Sequence, residues 1–310
     1  MTEINASPET SMTPDRIRSA DRQSPASRKA SIARASRQGR VRSNPVPGTV
    51  VPARRDVLGL DICDFGWADA LAFAEERATM PFGQSIIVFA NTDNANLMMR
   101  DADYRAVLSR QTVLPEDRGI DLAARLLHGQ RFRARLTGAD FVPALLTYIA
   151  KPMRIALVGG HAATLKKAAE MLSRHAPWHS ILPIADDTFD LGQSDAIMAR
   201  VGVANVDILL VSMASPAQEK WIDRHVGPGH ARLVLGVGHL FETLSGKTQS
   251  ARPSTRKFGL GWLSLPLRSA SRMRDSGPVS PLFLYHLLRY KFSGAKTGRT
   301  RPEMAKAGSL

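Results

Sequence analysis

The chain has a single cysteine, Cys63, so it can close no internal disulfide and build no cysteine-cluster metal site. A reducing compartment suits it. Aromatic residues make up only 6% of the sequence, and they are not interleaved with basic residues as in a platform for single-stranded nucleic acid. No apolar run approaches the roughly 18 residues of a membrane-spanning helix. The N-terminus lacks the apolar core of a signal peptide, so export is not expected. No Gly-x-Ser-x-Gly elbow or Walker sequence is present. The histidines His161, His175, His179, His225, His230 and His239 show no metal-ligand spacing.

Charge is plentiful and unevenly placed. Residues 1–55 hold 11 Lys/Arg and 4 Asp/Glu, for +7, and residues 247–310 hold 13 and 2, for +11. Residues 56–246 hold 18 and 22, for −4. Basic ends of this kind suit a polyanion: nucleic acid, an anionic membrane surface or a phosphorylated ligand. Residues 1–55 are rich in Ser, Arg, Pro and Ala, too poor in large apolar side chains to offset ordering, and are expected to form a disordered arm.

From Ser85 onward, buried runs alternate with helical stretches. Strands are predicted at Ile86–Ala90, Thr112–Leu114, Ile155–Val158, Ser180–Ile184, Ile208–Val211 and Leu233–Val237, after a first strand over Val57–Ile62. Helices are predicted at Trp67–Ala78, Ala95–Arg110, Ile120–Leu127, Asp140–Ala150, Ala163–His175, Ser194–Val201 and Ala217–His225. This order implies right-handed βαβ crossovers, hence an α/β fold with a Rossmann-like, mostly parallel sheet covered by helices on both faces. The alternation stops at Gly246, and residues 247–292 mix basic residues with apolar clusters as a basic appendage before a tail, 293–310.

The stretch from Asn205 to Gly246 is the most informative. Ser215 is expected to cap a helix that opens with Pro216, Gln218 and Glu219. Gly236 and Gly238 end the next strand, where backbone approaches a ligand closely. Both strands then deliver polar groups and bare amides to the sheet edge at which open parallel sheets bind ligands, unless these are two ordinary capped βα units. Other candidates sit where strands end. Thr92 and Asn94 can bond a polar ligand or cap a helix. Glu116 and Asp117 share a turn with Arg118, as a general base or as solvated groups. Thr137 and Gly138 open a helix whose amides suit an anion. Gly159 and Gly160 form a Gly-Gly turn without the full dinucleotide spacing. Asp101-Ala102-Asp103 mimics a metal-binding Asp-x-Asp, but no further ligand is near, and a cap or a solvated face is expected there.

Taken in order, these motifs over residues 85 to 265 resemble the WecG/TagA/CpsF glycosyltransferases of bacterial surface polysaccharide synthesis. The residues that carry the resemblance are Thr92-Asp93-Asn94, Pro115-Glu116-Asp117-Arg118-Gly119 with Ala123-Ala124-Arg125, and Thr137-Gly138-Ala139-Asp140. Gly159-Gly160, the intact Ser215-Pro216-Ala217-Gln218-Glu219-Lys220-Trp221, and Gly236-Val237-Gly238-His239-Leu240-Phe241-Glu242 with Gly246 and Arg252-Pro253 complete them. The sequence departs from the family pattern at the catalytic position, at the Leu-Glu-Trp near the end, and in the arginine-rich tail, which is rearranged. The catalytic aspartate falls on Glu116 in the ungapped register, or on Asp117 after a one-residue slip, and Leu260-Gly261-Trp262 replaces Leu-Glu-Trp.

The resemblance implies an inverting glycosyltransferase that moves a sugar such as glucose or N-acetylmannosamine from a UDP-sugar to a polyprenyl-diphosphate-linked acceptor. Either carboxylate, Glu116 or Asp117, would serve as base, with Thr92 positioning acceptor or base. Asn94, Gln218 and Glu242 would lie near the nucleotide, with the glycine turns giving backbone access. The family works without a metal, so Arg252 and Arg256 would neutralise the leaving diphosphate. No cofactor or nucleic acid is implied. The enzyme would work in exopolysaccharide or cell-surface polysaccharide synthesis, at the inner face of the plasma membrane, and a homo-oligomer is compatible with the sequence. The rival is a Rossmann-type dinucleotide oxidoreductase, which needs a complete glycine fingerprint and an acidic residue about 20 positions on. A helix over Pro281–Phe292 would put Leu284, Leu287, Leu288 and Lys291 on one side, either to dock on lipid or to pack on the body.

Overall fold

A computed structural model describes residues 52–246 and 280–293. Nearly all of the expected arm, the segment 247–279 that carries Arg252 and Arg256, and the tail from residue 294 lie outside the described residues. The architecture is α/β, with an eight-stranded sheet in the order β1-β2-β4-β3-β8-β7-β5-β6. Its strands are β1 (Arg54–Val57), β2 (Leu60–Cys63), β3 (Ser85–Ala90), β4 (Thr112–Pro115), β5 (Arg154–Gly159), β6 (Ser180–Ala185), β7 (Ile208–Ser212) and β8 (Leu233–Gly236). Among the described residues only the β1–β2 pair is antiparallel.

Alternating side chains of the central strands feed two faces. Ile87, Leu157, Leu210 and Leu235 pack on one face against α1 (Trp67–Thr79), α5 (Gly138–Tyr148) and α6 (Ala162–His175). On the other face, Val88 meets α2 (Thr92–Met98), α3 (Ala102–Ser109) and α4 (Arg118–His128). Val158, Val211 and Val234 meet α7 (Ser194–Val203) and α8 (Ala217–His225) on that same side. A strand buried on both faces must be apolar at every position, which is why these runs stand out in the sequence.

Four local expectations change. The single strand over Val57–Ile62 is a hairpin instead, because Leu58 and Gly59 turn the chain at φ 59° and 84°. A left-handed leucine costs on the order of 1–2 kcal/mol, and burial of the Leu58 side chain offsets it. The helix over Ala95–Arg110 is two helices: Asp101 accepts from the Tyr104 N–H as the N-cap of α3 and starts a new axis. Ser215 does not cap α8; Pro216 stands at the N-cap position and no side chain caps the helix. The last helix, α10 (Pro281–Phe292), follows the short α9 (Leu240–Leu244) among the described helices and packs on α2. It buries Phe283 and Leu287 rather than a Leu284/Leu287/Leu288 face, and the Tyr290 hydroxyl donates to Asp56 at 2.7 Å. Leu284, Tyr285, Leu288 and Phe292 stay exposed.

Candidate active site

Parallel strands end on the same side, so the loops after β3, β4, β5, β7 and β8 share one edge of the sheet. At the β3–β4 end, Asn91 is the N-cap of α2, taking the N–H groups of Asp93 and Asn94, both at 3.0 Å. Its side-chain amide donates to Glu116 at 3.0 Å. Adjacent β3–β4 pairing holds the Glu116 backbone, whose N–H donates to the Ala90 carbonyl at 2.9 Å.

Asp117 is held differently. One oxygen accepts the Ile120 N–H at 2.8 Å as the N-cap of α4, and the other takes the Thr92 N–H at 2.9 Å and hydroxyl at 3.0 Å. Gly119 closes against Thr92: a Cβ there would lie 2.1 Å from the Thr92 methyl. Thus the structure brings Thr92, Glu116 and Asp117 together.

At the β5 end, Gly159 and Gly160 take φ 100° and 66°, and a Cβ on Gly159 would sit 2.1 Å from the Ser212 carbonyl. Glu242 borders Gly160, 3.8 Å from where its Cβ would be. One carboxylate oxygen of Glu242 is buried and makes no hydrogen bond, although His239 approaches it at 4.0 Å. The next helix, α6, begins at His161 with no side-chain cap, so its N-terminal dipole is not screened by one.

The expectation of bare glycine amides fails. Gly160 donates its N–H to the Ser212 carbonyl at 3.1 Å, and Gly238 donates to Gln218 at 2.9 Å. Strand ends without a following ladder satisfy their backbone locally, as buried amides must. Thr137 likewise caps its own helix α5, taking the Asp140 N–H at 3.2 Å while Gly138 lies against Val237.

Gln218 and Glu219 are buried. The Gln218 amide oxygen accepts from Gly238 and, at 3.3 Å, from Met213, and its nitrogen donates to Glu219 at 2.9 Å. Gly236 makes room, since a Cβ there would meet the Gln218 nitrogen at 2.8 Å. The Ser215 hydroxyl donates to the same Glu219 oxygen at 2.8 Å. Burial pushes the Glu219 carboxyl above the ordinary glutamate range.

Asn94 is buried too, donating from its side-chain amide to the Tyr104 hydroxyl at 2.8 Å. Burial, with Glu219 close by, raises the Tyr104 pKa. Sequence reasoning missed Asn91 and Tyr104. An asparagine directly before a helix is an N-cap signal and would have found the first; a tyrosine on a helix face gives no such signal. Asp101, set aside as a metal ligand, caps α3 and pairs with Lys220 at 2.7 Å.

The model of the "Glycosyl transferase WecG/TagA/CpsF family" matches residues 55–297. The chain belongs to that family. It is a glycosyltransferase of cell-surface polysaccharide synthesis, and the oxidoreductase alternative falls. Its matched relatives include a protein of Bacillus spizizenii, 24% identical over 250 residues, which cover 77% of this chain and 95% of the relative. A Staphylococcus aureus protein is 23% identical over 251 residues, covering 77% and 94%. One from Bacillus subtilis is 28% identical over 183 residues, covering 57% and 69%. All three are named N-acetylglucosaminyldiphosphoundecaprenol N-acetyl-beta-D-mannosaminyltransferase.

Proposed function

We propose that this glycosyltransferase moves an N-acetylmannosamine-type sugar from a UDP donor to a polyprenyl-diphosphate-linked acceptor, with inversion at the anomeric carbon and Glu116 as the base. The names of the relatives support the sugar and the acceptor. One observation favours Glu116 over its neighbour. Asp117 spends both oxygens on α4 and Thr92, which suits a residue that shapes the site. Glu116 takes the acceptor hydroxyl proton as that oxygen bonds to the anomeric carbon. The bond to the diphosphate breaks on the opposite side, and its electron pair leaves with UDP.

The nucleotide end of the site is Glu242 beside the Gly159-Gly160 turn. The uncapped start of α6 favours the diphosphate's charge, and Arg252 and Arg256 supply the rest. Peripheral docking fits the exposed apolar side of α10, which would lie in the headgroup layer where a polyprenyl acceptor resides. Among the described residues no helix is long and apolar enough to cross a membrane.

The test is transfer by the full chain from UDP-N-acetylmannosamine to a polyprenyl-diphosphate-linked N-acetylglucosamine, run in excess EDTA. Product formation with release of UDP is expected. No transfer from any UDP-sugar in a panel would overturn the reading, and activity restored only by Mg²⁺ or Mn²⁺ would overturn its metal-free form.

A further inference from the structure

We infer that His179 is an acid-sensitive clamp: its neutral ring ties the last turn of α5 to the starts of β5 and β6, and a proton on Nδ1 lets that end of α5 go. The inference is independent of the functional reading above. His179 is 6% exposed. Its Nδ1 accepts the Met153 N–H at 3.1 Å, and its Nε2 donates to the Leu146 carbonyl at 2.9 Å. Both partners are backbone groups with a fixed role, one a donor and the other an acceptor. They admit only the neutral tautomer that carries its proton on Nε2. Each bond is made where the backbone needs one. Since α5 ends at Tyr148, the Leu146 carbonyl has no further helical turn to accept from. Met153 stands just before β5, and its carbonyl takes the Ser180 N–H at 2.9 Å where β6 begins. Two neighbours grip the same helix end. Trp178, its ring 5.4 Å from that of His179, donates to the Ile149 carbonyl at 3.0 Å, and His175 meets the Pro143 carbonyl at 2.7 Å.

A proton on Nδ1 would set two N–H donors against each other and leave a cation in a buried site. The elements around the ring offer that cation little. The end of α6 brings Arg174 and His175, with Glu170 exposed further back, and β6 brings no charged residue. The segment before β5 brings Lys151, and β5 opens with Arg154. The one carboxylate of α5, Asp140, lies in its first turn, at the other end of the helix. Asp207 is occupied by the Arg154 N–H at 2.9 Å and by the Arg232 guanidinium. Burial, reinforced by His175 and opposed in part by the bond to Leu146, accordingly holds the His179 pKa below the ordinary 6.5. The stabilisation from the clamp is therefore full above 6.5 and is lost as pH falls from there through the folded value, because the unfolded chain takes up the proton first.

The test uses the full chain. NMR of the histidine ring nitrogens should show His179 with its proton on Nε2 at pH 7.5 and titrating below 6.5. Amide hydrogen exchange is then compared at pH 5.5 and pH 7.5, corrected for intrinsic rates. The Met153 and Ser180 amides and those of the last turn of α5 should open about tenfold more at the lower pH, the factor set by one pH unit below the unfolded pKa. The amides of β8 should change by less than about twofold. His179→Gln offers an acceptor and a donor that do not titrate, and should remove the pH dependence at those amides. If that variant does not fold, the parent's NMR and exchange decide. A proton on Nδ1 at pH 7.5, titration at or above 6.5, or exchange that does not change with pH overturns the inference. So does acceleration shared equally by β8, or a folded His179→Gln that keeps the parental pH dependence.

Discussion

Thr92 gives both its backbone N–H and its hydroxyl to one carboxylate oxygen of Asp117, at 2.9 and 3.0 Å. The bond joins the loop after β3 to the loop after β4, and with the Ile120 N–H on the other oxygen it engages both oxygens of Asp117. The adjacent Glu116 is oriented instead by the Asn91 amide. Two neighbouring carboxylates are therefore held by different partners.

That difference is measurable. Glu116→Gln should reduce kcat by about 10² or more, the usual scale for losing a general base, with unfolding unchanged. Asp117→Asn should weaken the cap of α4, costing about 1 kcal/mol in denaturant unfolding, with a smaller kinetic loss. Kinetics in the reverse order would make Asp117 the base.

Gly119 and Thr92 offer a repair experiment. Gly119→Ala places a methyl 2.1 Å from the Thr92 Cγ2 and should displace Thr92 from Asp117, lowering turnover about tenfold or more. Thr92→Ser removes that methyl and keeps the hydroxyl. The double variant should regain most of the lost turnover; if it is no better than Gly119→Ala, the contact is not the cause.

Glu219 should leave a mark on stability against pH. Its folded pKa is raised by burial, so the folded state holds its proton longer than the unfolded chain does. The stabilisation this gives is full below the unfolded value, near 4.5. It declines as pH rises from there through the folded pKa, because only the unfolded chain ionises freely. Glu219→Gln has no such proton to lose. Urea unfolding of both proteins from pH 4 to pH 8 should show the parent losing ground to the variant as pH rises; parallel curves would mean that Glu219 is charged when folded.

The two sides of α10 should respond differently. Leu287→Ala opens a buried position against α2 and should cost about 2–5 kcal/mol of stability. Leu284→Asp with Leu288→Asp changes only exposed positions and should leave the melting temperature in place while abolishing flotation with anionic vesicles. Retained flotation would remove this helix from the docking surface.

The sequence by itself determined the alternation of strands and helices, because a strand covered on both faces is apolar throughout and a covering helix is apolar on one stripe. Ala217–His225 and Pro281–Phe292 are helices over just those residues. Tertiary structure alone decided what the polar residues at the strand ends do. Asn91 meets Glu116 across 25 residues because β3 lies beside β4, and Gln218 meets Gly238 across 20 because β7 lies beside β8. Periodicity says which face of an element is buried, but side-by-side strand order says whose polar atoms come within reach. For the same reason only the structure shows that Gln218 and Asn94, expected from the family resemblance near the nucleotide, are buried and hydrogen-bonded within the protein. Which stripe of α10 faces the body was likewise fixed by the partners available to it: α2 lay there to take Phe283 and Leu287, and Asp56 to accept from Tyr290.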